Sequence, residues 1–349
     1  MLTVDLERLH AQVTELLGAL DFRRIWPGFR PLRFALYDET RCCFDGAYVE
    51  KTEAFCANTS IEYRGEQIAI WMVQEAADPV VLSAKLVHEM FHGYQHLQGW
   101  DCWPKEMEAL FRYAYSGENL CLKLRENQLL LALAERPDEG ALAELLAHRK
   151  RRSRRFPYEF DYESKVEEIE GSANYVEWQA LEQLDRQKAG LLRERISGRI
   201  LKPEKLLPIR ISCYDTGALL IHALRNAGRY EFSPAERPLL FSVLKEVEAS
   251  DGRFPGRDAL LAAATAAAEG FHRETESVIR AALDRNEVLL RGPLELTGVN
   301  VYDARYRQGF LSSTYFLACR DGSGERLLSG NFVIRMRDEK TIDTVYRWA

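Results

Sequence analysis

The chain has 349 residues, 46% hydrophobic and 29% charged, with a formal net charge of -6. That composition supports a sizeable core, excludes a disordered or fibrous chain, and argues against a protein that coats nucleic acid with its whole surface. Its seven cysteines include no C-x-x-C pair, so they suit neither a disulfide framework nor a Cys-rich metal site, and they read as free buried thiols.

Residues 3 to 20 place Leu6, Leu9, Val13, Leu16, Leu17 and Leu20 at helical spacing and predict an amphipathic packing helix. Asp5, Glu7 and Arg8 interrupt what a secretory signal would need, and no apolar run is long enough to span a bilayer, so a cytoplasmic protein is expected. From Pro31 to Val73 the pattern turns to β-rich runs, LRFALYD, AYVEK and IEYRGEQIAIWMV, with turns at Asp45-Gly46 and Arg64-Gly65-Glu66. They predict a small sheet, an edge strand of which could hold an extended peptide by backbone hydrogen bonds.

Residues 78 to 100, DPVVLSAKLVHEMFHGYQHLQGW, predict a helix capped by Asp78, opened by Pro79 and closed at Gly99. Val80, Val81, Leu82, Leu86, Val87, Met90 and Phe91 make it apolar on most sides, as in a helix that crosses a core. Within it His88 and His92, four apart, point the same way and can reach one zinc ion, while Glu89 reaches a water beside that ion. His96 lies two turns from His88, too far for the same tetrahedral shell, and reads as a structural or rim residue.

Helical patterning resumes after Pro104, runs through ENLCLKLRENQLLLALAERP to Pro137, and continues as a short Ala/Leu helix over 138 to 148. The basic run Arg149, Lys150, Arg151, Arg152, Ser153, Arg154 and Arg155 reads as a solvated helix end and linker in preference to a phosphate contact, because no aromatic platform is interleaved with it. Phe156 and Pro157 are expected to close that linker.

Residues 161 to 185, DYESKVEEIEGSANYVEWQALEQLD, predict a helix with an apolar stripe and a parallel stripe of Glu163, Glu167, Glu170, Asn174 and Glu177. Glu163 reads as solvent-facing. Glu170 is the stronger candidate for a metal ligand, with Glu167 left open, because Gly171 and the small residues after it suggest close approach of the His88 to His92 helix.

HEMFH followed by EGSANYVE resembles the gluzincin type of zinc metallopeptidase over about residues 78 to 226. The resemblance implies Zn2+ held by His88, His92 and Glu170, with Asn174 at a position where the family often places a residue that orients a ligand, here Asn in place of the Asp of some members. The metzincin pattern does not fit, since Gln95 and Gln98 stand where that type needs Gly and His.

Residues 211 to 226 predict a further helix, in which the Tyr214 to Gly217 segment resembles one that follows the Glu motif in several such peptidases. Tyr214 and His222 are candidate hydrogen-bond donors to an oxyanion. Two more helices are expected at 233 to 248 and 257 to 287, then strands from Leu294 onward with a hairpin turn at Asp321 to Gly324.

The expected fold is α+β and mainly helical, a zincin-like catalytic core with a small N-terminal sheet and a small C-terminal antiparallel sheet. Residues 1–290 form the metallopeptidase domain and 291–349 the C-terminal β region. The expected activity is zinc-dependent hydrolysis of peptide or protein substrates by a metal-activated water, with Glu89 as general base and acid. Two other readings are a catalytically inactive zincin-fold binding protein, which the retention of Glu89 beside all three ligands argues against, and a regulatory protein contacting nucleic acid through residues 149–155.

Overall fold

The Asp45-Gly46 and Arg64-Gly65 turns form as the sequence requires, with φ of 53°, 77°, 54° and 81° in that order. They close two hairpins of one sheet. The computed structural model describes residues 4–74, 77–230, 239–249 and 254–348. Helices α1 (Leu6–Gly18) and α2 (Phe22–Ile25), capped by Asp5 and Asp21, precede strands β1 (Arg33–Tyr37), β2 (Cys42–Phe44), β3 (Ala47–Val49), β4 (Thr59–Tyr63) and β5 (Glu66–Met72). The strand order is β3-β2-β1-β5-β4, with β1 and β5 parallel and β4 an antiparallel edge.

Helix α3 (Pro79–Leu97) is capped by Asp78, whose carboxylate accepts from Val80 N and Val81 N. It lies so close to the sheet that a Cβ on Gly93 would come within 2.7 Å of Ser60 Oγ and 2.9 Å of Gln67 Cγ. A Cβ at this position would have to displace the side chains of Leu32, Ser60 and Gln67. Phe91, Trp26, Phe29 and Trp100 pack edge to face around the helix and join its apolar side to the main core.

Helices α4 (Glu106–Arg112), α5 (Gly117–Glu135), α6 (Glu139–Arg155) and α7 (Pro157–Val166) follow. A five-residue π turn, Glu167–Gly171, joins α7 to α8 (Ser172–Leu184); then come α9 (Arg186–Ile200), α10 (Ile209–Asn226), α11 (Leu239–Ser242) and α12 (Arg257–Arg285). Residues 233–238 of the helix expected at 233 to 248 lie outside the described residues, and α11 covers four residues of the remainder. Strands β6 (Val288–Val299), β7 (Arg305–Arg307), β8 (Phe310–Ser313), β9 (Phe316–Asp321), β10 (Gly324–Ser329), β11 (Phe332–Met336) and β12 (Thr341–Arg347) form one sheet in the order β10-β9-β6-β12-β11-β8-β7. Its apolar face packs on Met107, Leu110 and Phe111 of α4, and Val333 and Tyr346 meet Ile279 and Ala282 of α12. The molecule is therefore α+β, dominated by helices, with two small sheets.

The structure corrects three expectations. No linker separates the basic run from the next helix: α6 continues to Arg155 and α7 starts at Pro157. Arg149 and Arg152 are 1% and 0% exposed, and Glu163 is 0% exposed. They belong to a buried ion cluster in which Arg152 Nη1 donates to Glu163 Oε1 at 2.8 Å, Arg149 Nη2 to Glu167 Oε2 at 2.6 Å, and Lys123 Nζ to Glu167 Oε1 at 2.7 Å. Three cations and the three carboxylates of Glu126, Glu163 and Glu167 compensate one another there, as buried charges must. Finally, α8 packs along α3 as expected, with Gln95 Nε2 donating to Ser172 Oγ at 2.9 Å, but the closest approach at Gly171 itself is to α10. A Cβ on Gly171 would come within 2.5 Å of Gly217 Cα, and one on Gly217 within 2.5 Å of Glu167 O.

Among the described residues no helix is long and apolar enough to cross a membrane. All seven cysteines are free, six of them buried and Cys56 exposed.

Candidate metal centre

In an unbroken α-helix Glu163, Glu167 and Glu170 would share one stripe. The π turn rotates less per residue than an α turn and breaks that stripe. Glu167 faces Lys123 of α5 and Arg149 of α6, Glu168 accepts from Leu240 N of α11 at 2.9 Å, and Glu170 turns to α3. Of the two carboxylates left open by the sequence, Glu170 is therefore the one that meets the histidines.

His88 Nε2 and His92 Nε2 lie 3.1 Å apart, and Glu170 Oε2 is 3.7 Å from the first and 3.2 Å from the second. Four ligands around zinc at 2.0–2.1 Å stand about 3.3 Å from one another, and the three atoms have a spacing close to that.

The partners of the other ring nitrogens decide which way the imidazoles face. Gln95 Nε2 donates to Ile169 O and Ser172 Oγ, both at 2.9 Å, which leaves Gln95 Oε1 2.8 Å from His92 Nδ1. That nitrogen must then carry the proton. His88 Nδ1 lies 3.3 Å from Glu177 Oε2, an acceptor only, and both atoms lack any other partner among the described residues. Glu177 is in turn held by Lys85 Nζ at 2.7 Å. With both Nδ1 atoms protonated, two Nε2 lone pairs and a carboxylate oxygen converge on one point with no donor between them. These three atoms could hold a metal ion, and an N,N,O donor set of this kind suits Zn2+.

Burial alone would keep His88 neutral, yet Glu170 and Glu177 outweigh it and hold its pKa up at about 10. Burial works against the Glu170 carboxylate, but His92, His88 and Arg210 overcome it and keep its pKa well below the usual range. Its second oxygen, Oε1, accepts from Arg210 Nη2 at 2.8 Å, and Arg210 Nε donates to Glu106 Oε1 at 3.0 Å.

Tyr214 stands over this centre. Its ring lies parallel to that of His88 with centroids 6.2 Å apart, and its hydroxyl accepts from Arg210 Nη1. Burial, then the nearby Glu170 charge, raises its pKa, so the phenol keeps its proton. Glu89 is half-buried and forms no hydrogen bond or ion pair among the described residues.

His222 is not brought to the centre. It sits eight residues beyond Tyr214, about 12 Å along α10, bonded to Asn226 Nδ2 at 3.0 Å and packed on Trp178. Its place as an oxyanion donor is withdrawn on that geometry. His96 is exposed and stacks on Trp103 with centroids 4.3 Å apart, outside the cluster. Asn174 forms no hydrogen bond among the described residues, and the orienting role falls to Gln95 and Glu177. Both were legible as signals: Gln95 three residues after His92, and Glu177 seven after Glu170, two turns on along one face.

Comparisons with known protein families, with curated proteins and with solved structures find no match to this chain.

Proposed function

We propose that this chain is a zinc-dependent peptidase of the gluzincin type, with a zincin-like core built on α3, α8 and the N-terminal sheet. The observation that carries the reading is the convergence of His88 Nε2, His92 Nε2 and Glu170 Oε2, each with its other polar atom already engaged. Zinc held there supplies a Lewis acid and lowers the pKa of a water toward about 7.

The remaining work falls to the chain's own side chains. Glu89, next to His88 and unengaged by protein groups, takes a proton from the attacking water and returns it to the leaving amine. The Tyr214 hydroxyl, fixed by Arg210 and kept protonated, donates to the developing oxyanion. The free edge of β4, which packs over α3 at Gly93, offers backbone groups to an extended substrate. Two of the six cations of residues 149–155, Arg149 and Arg152, are turned inward to the ion cluster, which weakens the support for a nucleic-acid role of that run.

The test compares zinc-loaded wild type with Glu89→Gln on a mixture of unstructured peptides, read by mass spectrometry. The wild type should cleave, and the variant should lose about 10²–10⁴-fold in rate with its zinc retained. Intact peptides after incubation with the zinc-loaded wild type would refute the reading.

A further inference from the structure

Beside the metal centre, α9 and α10 close a cavity of about 260 Å³ that shares Glu177 and Tyr214 with it. Most of the cavity's charges are matched within its own wall. Lys85 Nζ lies 2.7 Å from Glu177 Oε1, and Arg199 Nε donates to Asp215 Oδ2 at 2.7 Å. The third cation is Arg195 on the exposed side of α9, which forms neither hydrogen bond nor ion pair among the described residues. Three cations (Lys85, Arg195, Arg199) against two carboxylates (Glu177, Asp215) leave one positive charge in excess.

The last wall comes from the C-terminal sheet. Tyr302, three residues beyond β6, places its hydroxyl 3.2 Å from that of Tyr214 and its ring 4.8 Å from the Arg210 guanidinium. A sheet without any chemical motif of its own thus reaches the site through one side chain.

The geometry points to this cavity as the pocket for a substrate carboxylate, read by Arg195 and walled on one side by Tyr302. The assignment of that carboxylate to a substrate rests on the peptidase reading of the neighbouring centre. At about 260 Å³ the cavity takes one side chain or a chain end, below the roughly 300–1,000 Å³ of drug-sized ligand sites. A guanidinium offers a planar fork of donors that matches a carboxylate, and here no protein acid holds it in an ion pair. An entering lysine meets the excess positive charge instead. The carboxylate has two sources: an Asp or Glu side chain within a peptide, which makes the enzyme an acid-selective endopeptidase, or the free end of the chain, which makes it a carboxypeptidase.

The experiment measures binding, by fluorescence anisotropy, to zinc-loaded Glu89→Gln and to the same protein carrying Arg195→Ala or Arg195→Glu. The probes are labelled peptide pools of one length: a single Glu scanned through every position with an amidated C-terminus, the matching Gln and Lys pools, and the Gln pool with a free C-terminal carboxylate. One of the two carboxylate-bearing pools should bind about fivefold tighter than the neutral one. The preference should vanish with Arg195→Ala and turn toward the Lys pool with Arg195→Glu, while zinc content and melting temperature stay constant. Equal binding of all pools, no binding of any, or a preference that survives Arg195→Ala overturns the proposal. A wild type that cleaves nothing while the Arg195-dependent preference persists overturns the peptidase reading and leaves the pocket standing.

Discussion

Gln95 Oε1 accepts the Nδ1 proton of His92 at 2.8 Å, while the amide nitrogen of the same Gln95 is bonded to Ile169 O and Ser172 Oγ. One buried side chain thereby ties the imidazole on α3 to the turn that carries Glu170. Partners of this kind contribute about 10–100-fold to metal affinity. Gln95→Leu should weaken zinc binding by that factor, read by competition with a chromophoric chelator. Unchanged affinity would show that His92 is oriented by packing alone.

At Gly217 two principles oppose each other in sign. In an open helix, Ala in place of Gly stabilises by about 1 kcal/mol. Here a Cβ would stand 2.5 Å from Glu167 O and 2.8 Å from Glu167 Cα, both backbone atoms. Gly217→Ala should therefore destabilise, by about 1–3 kcal/mol in urea unfolding, and should weaken zinc binding because the π turn must shift. A stabilised variant would contradict the packing of α10 on that turn.

Arg152 bonds Glu126 through Nε and Nη2, at 2.8 and 3.0 Å, and Glu163 through Nη1 at 2.8 Å. Arg152→Met leaves two buried carboxylates short of a cation and should cost about 3–5 kcal/mol in urea unfolding. The exposed Arg154 two residues on provides the control: Arg154→Ala should stay within about 0.5 kcal/mol of wild type. Similar losses in both would mean that the basic run acts as a whole, and not through its buried members.

The same cluster sets an acid dependence. Burial opposes the charge on Glu163, but Arg152 and Lys123 overcome it and bring its pKa down from 4.5 to about 2. Between those values protons favour the unfolded chain, so the stability this carboxylate confers is full above pH 4.5 and is lost as the pH falls toward 2. Glu163→Gln should be less stable than wild type at pH 7, with a gap in urea midpoint that narrows from pH 4.5 downward and closes only as the pH approaches 2. A constant gap across that range would contradict the assignment.

The parts of this molecule that are local in sequence were the parts legible in it. Asp78 and Pro79 announce α3, the His88 to His92 spacing announces two imidazoles that meet on one face, and the Asp45-Gly46 and Asp321 to Gly324 turns announce their hairpins. Strand β2, three residues long and following directly on Arg41, carries too little alternation to be recognised, and α9 is too polar to show a stripe. The buried charges were misplaced for a different reason. Arg149 and Arg152 look like solvent-facing cations because Glu126, Glu163 and Glu167, which neutralise them, lie 11 to 26 positions away and on other helices. Gly171 showed that a backbone must come close but not which one, since the identity of its neighbour, Gly217, is a tertiary fact.

Zinc stoichiometry, measured by elemental analysis on purified wild type, Glu170→Gln and Glu167→Gln, tests the central claim most directly. The account predicts one zinc per chain in the wild type, loss of it in Glu170→Gln, and retention in folded Glu167→Gln, whose side chain faces Lys123 and Arg149. A wild type that holds no metal after zinc is supplied, or a Glu170→Gln protein that holds it as tightly, would contradict the centre described here.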